Sequence, residues 1–364
     1  MNYVFVVQGE GRGHMTQAIA LKKYLQKAGH EVVGVLVGKS SGRKIPDFFY
    51  EQIAVPVETF LSPNFVMDKQ KQGLNLSRTV WYNIKNLKEY RRSLSFIDKN
   101  LKKWQPDLII NFYEPLIGIY ALQKKLVTPI ISIGHQYFSL HPEFNFPSGQ
   151  IIKKSLFQLF TRLTSHGSNA KLALSFKEFS HLPKKNLFVL PPLLRPEVTQ
   201  LTAEQQDHIL IYILNSGYAT EIQVWQAKHP EVKMKVFWDN HEFGDDYSPQ
   251  TNLSFHIISG DKFLDALKTC RGFMSTAGFE SICEAAFLGK PVFLRPTKKH
   301  FEQKCNAIDA EHSNIGIKDD YFDFDRFMEH IDKHDNRQNE FKNWVNQAEK
   351  KFLEIIENET KKQK

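Results

Sequence analysis

Cysteine is scarce in this chain, with three residues in 364: Cys270, Cys283 and Cys305. An odd number without metal-ligand spacing excludes a disulfide framework and a paired-cysteine zinc site, and the three fall in sequence that reads as packed core. Long apolar runs are missing too. None approaches the roughly 18 residues that span a bilayer. The apolar stretch from Tyr3 to Val7 is a strand's length with no cationic segment before it, which argues against a signal peptide. The expected compartment is the cytoplasm.

Acidic residues are short in one half only. Residues 1–200 hold 27 Lys and Arg against 13 Asp and Glu, a balance of +14, whereas residues 201–364 hold 21 against 27, a balance of −6. The basic first half suits an anionic surface, either acidic lipid headgroups or nucleic acid, and equally suits a well-solvated face. No nucleic-acid recognition motif accompanies it.

Two nucleotide motifs are absent where they would be expected. GEGRGHM at positions 9–15 follows an apolar run and opens a helical pattern, yet Gly9, Gly11 and Gly13 lack the Gly-x-Gly-x-x-Gly spacing of a dinucleotide site. The second strand ends Val37-Gly38-Lys39, with no acidic residue for a ribose, and no Gly-Lys-Ser/Thr follows the loop. What survives is a glycine turn and a helix start at His14, able to admit a ligand close to the backbone or merely to turn the chain.

Short β-branched runs alternate with helical patterns throughout, which predicts parallel sheets with crossover helices. Strands are expected at 3–7, 31–37, 107–111, 130–134 and 171–175, then at 209–214, 233–238, 271–275 and 291–295. A helical region is expected over 76–103, with Trp81, Tyr82, Tyr90, Arg91 and Arg92 on an amphipathic face, and one helix over 337–359. Pro191-Pro192, Pro196 and the polar stretch Thr199–Asp207 divide the chain. The expected units are 1–195, which binds acceptor, 205–336, which binds nucleotide, and a C-terminal helix in 337–364 that packs back toward the first unit.

Residues 274–310 carry the richer constellation. The strand ends in Ser275-Thr276-Ala277-Gly278, a helix follows with Glu280 and Glu284 on one face, then Gly289-Lys290-Pro291, a strand, and a helix containing Glu302-Gln303 and Asn306-Ala307. A helix start at Gly278 offers amides to a diphosphate, and a carboxylate further along can hold a ribose diol.

These motifs, with Gly13-His14 and Gly29-His30-Glu31-Val32, resemble the nucleotide-sugar glycosyltransferases of the GT-B fold, of the family 28 and family 1 type. The branch in view contains the N-acetylglucosaminyltransferase of the lipid-linked peptidoglycan precursor. The resemblance implies an α/β architecture of two Rossmann-like domains whose parallel sheets face each other across a cleft. It implies that Glu284 binds the ribose, that Thr276, Ala277, Gly278 and Phe279 meet the diphosphate with Ser216 and Gly217, and that Glu302 and Gln303 bond the donor sugar. A uracil pocket is implied near Phe255–Ser259. Glu10 and Arg12 stand where that enzyme has small residues, and the middle of the first half shows no similarity, so its acceptor does not carry over.

Glycosyl transfer needs a base, a stabilised leaving group and aligned substrates. His14 is the candidate base, with a binding or loop-capping role as the alternative. Gly11, Gly13, Glu10, Glu114 and His135 are candidates for the acceptor side of the cleft. The expectation is an inverting transferase using a UDP-sugar as substrate, with no cofactor and no metal, acting on a lipid-linked or cell-envelope glycan and resting at an anionic membrane surface. Asp323-Phe324-Asp325 is read as solvated surface rather than as a metal motif. The alternatives are a UDP-N-acetylglucosamine 2-epimerase and a non-catalytic nucleotide- or nucleic-acid-binding protein.

Overall fold

The computed structural model describes residues 1–64, 66, 75–124, 127–214, 216–335 and 338–361. The first sheet contains β1 (Asn2–Gln8), β2 (Glu31–Lys39), β3 (Val57–Leu61), β4 (Leu108–Phe112), β5 (Ile130–Gly134), β6 (Ala170–Leu174) and β7 (Leu187–Leu190). Their order is β3-β2-β1-β4-β5-β6-β7, with every neighbouring pair parallel. The second sheet contains β8 (Ile209–Ile213), β9 (Met234–Trp238), β10 (Tyr247–Gln250), β11 (Leu253–Ile257), β12 (Gly272–Ser275), β13 (Val292–Leu294) and β14 (Ile317–Lys318). Its order is β10-β11-β9-β8-β12-β13-β14, and only the edge strand β10 runs antiparallel.

Both sheets are buried on two faces, and the strands are apolar for that reason. In β1, Tyr3, Phe5 and Val7 pack into one core cluster while Val4 and Val6 pack into another. The first cluster is shared between the two sheets, since it also holds Leu210, Phe273 and Ile282 of the second half.

Strand order reverses between β1 and β4 in the first sheet and between β8 and β12 in the second. In open α/β sheets ligands bind at the carboxyl ends of strands flanking such a point. The loops concerned are Gly9–Gly11 and Tyr113-Glu114 on one side, and Ser216-Gly217 and Thr276–Gly278 on the other. Asn215, expected in the same turn as Ser216, lies outside the described residues.

The nine expected strands form within one or two residues of their expected bounds. Five further strands escaped the pattern. All five are short and lie toward sheet edges; β3, β10, β11 and β14 also contain polar or lysine residues that dilute the periodicity, whereas β7 is an apolar run of only four residues.

The helical region 76–103 breaks in two, Leu76–Lys85 and Leu87–Trp104. Asn86 causes the break: its amide donates to Tyr82 O at 2.8 Å, competing with the helical ladder. The expected single face divides accordingly, because Tyr90 is buried and Trp81 is 70% exposed.

The expected helix over 337–359 is two helices, Gln338–Val345 and Ala348–Lys361, and residues 336, 337 and 362–364 lie outside the described residues. The first bridges the two halves, with Gln338 Nε2 donating to Phe287 O at 3.0 Å, and the second reaches the first half. Trp344 Nε1 donates to Ser175 O at 2.9 Å, and Lys351 pairs with Glu178 at 3.0 Å.

No helix among the described residues is long and apolar enough to cross a membrane.

Candidate active site

The helix Arg12–Lys27 starts at the end of β1 with Gly11 as its N-cap, and no side chain caps it. Gly13 faces the opposite half so closely that a Cβ there would lie 2.9 Å from Glu280 Cγ. Any larger residue there would push the Glu280 side chain aside, so glycine permits the close approach of the two halves, and the next residue is His14.

His14 sits at the centre of a polar chain that crosses the cleft. Gln17 donates from Nε2 to Glu280 Oε1 at 2.5 Å, which turns its Oε1 toward His14 Nδ1 at 3.2 Å. With a carbonyl oxygen facing it, Nδ1 carries the proton, and Nε2 keeps its lone pair. Nε2 lies 3.4 Å from Gln136 Nε2, and the same amide donates to Glu302 Oε1 at 2.9 Å. Burial lowers the His14 pKa to about 4, so the ring is neutral at physiological pH. Burial also raises Glu280 to about 8, against the hydrogen bond from Gln17, and raises Glu302.

The second half supplies two turns and a carboxylate. Ala277 has φ +62°, and Gly278 then caps the helix Phe279–Phe287 with no side-chain bond, leaving the helix start open at an exposed glycine. Thr276 is buried beside it. Phe279 faces away from the opening and stacks on His135 with centroids 4.0 Å apart. Its backbone stays at the helix start, while its ring belongs to the contact between halves. Ser216 and Gly217 begin a short 3-10 turn that leads into the helix Ala219–Gln226.

Glu284 is nine-tenths or more buried and paired with Arg195, whose Nε and Nη2 both reach its Oε1, at 2.8 and 2.7 Å. Gln303 accepts from Thr297 N at 2.9 Å and so ties the loop after β13 to its own helix.

Three candidates have structural roles. Glu114 is fully buried, accepts from Ser62 Oγ at 2.5 Å, and caps the helix Pro115–Gln123 through Leu116 N. Burial and that cap remove it from the cleft. Glu10 accepts from Ser40 N at 2.5 Å, fastening the glycine loop to the end of β2. His135 is 2% exposed, bonds Leu174 O through Nδ1 at 2.8 Å, and faces Asp309 at 3.6 Å from the other half. It is an interface residue.

Lys290 of the Gly-Lys-Pro turn is likewise structural, holding Glu204 O and Cys270 O. Asp323 caps the helix Phe324–Asp332, and Asp325 accepts from Trp225 Nε1 at 3.2 Å, so that pair is helix-end surface. The cluster Asp245, Asp246 and His256 is exposed on its acidic members, and Lys262 pairs with both aspartates.

Four residues near the site were missed by reading the sequence. Gln17 had a usable signal, because i and i+3 share a helix face with His14. Gln136, Arg195 and Arg12 had none, since their partners Glu302, Glu284 and Ile258 O are 166, 89 and 246 positions away.

The model of glycosyl transferase family 1 matches residues 1–333. The chain belongs to that family. An uncharacterized glycosyltransferase of Methanosarcina mazei is 23% identical over 343 residues, covering 88% of this chain and 87% of the relative. Among solved structures, Acinetobacter baumannii MurG superposes with a TM-score of 0.57 at 14% identity, covering 98% of this chain and 100% of that one. Phytolacca americana UGT2, solved with UDP-2-fluoro-glucose and pterostilbene, gives 0.63 at 13% identity, covering 99% of each chain. The protein is therefore a glycosyltransferase of the GT-B type, and its two sheets are the two halves of that fold.

Proposed function

We propose that this glycosyltransferase is inverting and moves a sugar from a UDP-sugar to a hydroxyl of a lipid-linked or cell-envelope acceptor. The observation that carries the reading is that the two glutamines flanking His14, Gln17 at Nδ1 and Gln136 at Nε2, reach across to Glu280 and Glu302 in the first turns of the helices Phe279–Phe287 and Phe301–His312. A base and a diphosphate-binding helix start then stand on opposite walls, which suits an in-line displacement.

In this mechanism the acceptor hydroxyl gives its proton to His14 Nε2 as its oxygen attacks the anomeric carbon from the side opposite the diphosphate. The bond from that carbon to the diphosphate oxygen breaks, and UDP departs with the electron pair. Amides at Ser216-Gly217 and at the start of the helix Phe279–Phe287 receive the developing negative charge. Glu284, with Arg195 holding one oxygen, offers the other to the ribose diol. Glu302 and Gln303 face the sugar. The reading assigns the chemistry to these groups and requires no cofactor. Because Gln17–Glu280 and Gln136–Glu302 join the walls, the halves must part to admit substrates and meet again for transfer.

Purified protein incubated with UDP-sugars and a lipid-linked glycan extract should release UDP only when acceptor is present. Release of UDP and N-acetylmannosamine from UDP-N-acetylglucosamine alone would replace the reading by the epimerase. Absence of UDP binding in a thermal-shift screen would sink it.

A lipid surface is supported by the helix Ile151–Thr164. Ile151, Ile152, Leu156 and Leu159 are each at least 60% exposed, with Lys153 and Lys154 between them. The same helix reaches the cleft, where Phe157 meets Phe301 across the two halves with centroids 5.7 Å apart. Apolar side chains with interleaved lysines suit insertion at an anionic headgroup layer. Vesicles containing anionic lipid should sediment the protein, and Ile152→Asp with Leu156→Asp should lower the bound fraction about tenfold or more, in line with the apolar area and charge involved. Equal binding of wild type and variant would exclude this face.

A further inference from the structure

Arg295 follows β13, at a position no part of the mechanism above uses. It is 2% exposed, yet its Nε and Nη1 have no hydrogen-bond partner among the described residues. Among the described residues its carboxylate neighbour is Glu221, with Oε2 at 3.6 Å, and Glu221 also accepts from Phe322 N at 3.1 Å. A buried guanidinium is ordinarily bonded on all its edges, since unpaired N–H groups in a low-dielectric site are costly. Two edges of this one are open.

Its location connects the two turns assigned to the diphosphate. The Arg295 backbone N–H donates to Ser275 O at 2.9 Å, the residue immediately before Thr276–Gly278. The guanidinium sits over Tyr218, with Cζ 3.7 Å from the ring centroid, and Tyr218 immediately follows Ser216-Gly217. Phe322 flanks it at 5.4 Å. Tyr218 OH also accepts from Lys298 N at 3.3 Å, so the ring that seats the cation is itself held. The cation–π contact holds the guanidinium in place without using the N–H groups of Nε and Nη1.

The geometry points to Arg295 as a binding residue for the diphosphate of the nucleotide-sugar donor, supplying positive charge where the departing UDP gathers negative charge. This rests on the donor assignment above and adds a charged side chain to what had been backbone amides alone. A planar donor fork beside a turn of amides suits a diphosphate, which offers several oxygens at once.

Calorimetric titration with uridine, UMP and UDP separates this role from a structural one. Arg295→Met is expected to weaken UDP about ten- to hundredfold, the loss of one charged hydrogen-bonding group, with uridine unchanged. Equal weakening of uridine and UDP, or no change in either, would overturn the assignment. Glu221→Gln guards against misfolding of that variant, because Glu221 is partly exposed. It removes the one competing negative charge and should tighten UDP several-fold without altering uridine. Unchanged or weaker UDP binding there would also count against Arg295. Wild-type protein that binds no UDP would refute the donor assignment itself, whereas UDP binding indifferent to both substitutions refutes only this inference.

Discussion

Replacing His14 by alanine is expected to reduce kcat by about 10²- to 10⁴-fold, the usual contribution of a general base. UDP affinity should change by about twofold at most, because the imidazole is assigned to the proton of the acceptor rather than to the donor. Single-turnover kinetics together with UDP titration would make the comparison. A parallel loss of UDP affinity would move His14 from base to donor binding.

The same residue predicts the acid limb of the pH profile. Burial brings His14 to about 4, well below the ordinary imidazole value near 6.5. The neutral base therefore persists as pH falls through 6, and activity should decline only as pH approaches the lowered value. Gln17 is the reason no carboxylate counteracts this. Its neutral amide orients Nδ1–H, whereas a carboxylate would stabilise the imidazolium and raise the pKa. Gln17→Glu should accordingly shift the acid limb upward by about one unit. A profile identical to wild type would show that Gln17 does not orient the base.

Replacing Glu284 by alanine is expected to have the largest effect on stability. It leaves the Arg195 guanidinium buried without its carboxylate, and breaking a buried pair in this way costs about 3–5 kcal/mol. For a domain of this size that corresponds to a fall in Tm of roughly 10 °C. UDP affinity should fall as well, by about ten- to hundredfold, with loss of the ribose contact.

Stability and binding can be separated by a second substitution. Glu284→Leu combined with Arg195→Met removes both charges, so Tm should recover most of the loss while UDP affinity stays low. Recovery of both would mean that Glu284 only neutralises Arg195. Scanning calorimetry and UDP titration on the three proteins decide the matter.

Much of the second half was legible because its elements are local. The sequence from Met274 to Ala310 encodes strand, turn, helix, strand and helix in succession, and each backbone segment forms as its pattern predicts. A helix start is a property of a few consecutive residues, so Gly278 could be recognised as open without knowing the fold. The first half was harder. Glu114, Glu10 and His135 all follow strand ends, which is where cleft residues lie, but their side chains turn inward to a cap, a backbone amide and the opposite half. Strand-end position specifies where the backbone goes and not which way the side chain is aimed.

The two helical breaks had the same origin. Helical periodicity runs unbroken through Asn86 and through Asn346-Gln347, and only competition for hydrogen bonds and docking of Trp344 on Ser175 divide those segments. Apolar spacing alone carries no information about either event.

The amino-acid sequence by itself determined the α/β class and the helix start at Gly278, since each strand, turn and helix depends on residues within a few positions of one another, and it singled out His14 as the candidate base. Tertiary structure alone decided that Gln17 reaches Glu280, that Gln136 bridges His14 and Glu302, that Arg195 pairs with Glu284, and that Arg295 sits over Tyr218. Those contacts join residues that the chain separates by tens to hundreds of positions, and hydrogen bonding acts only when folding has brought the partners within about 3 Å.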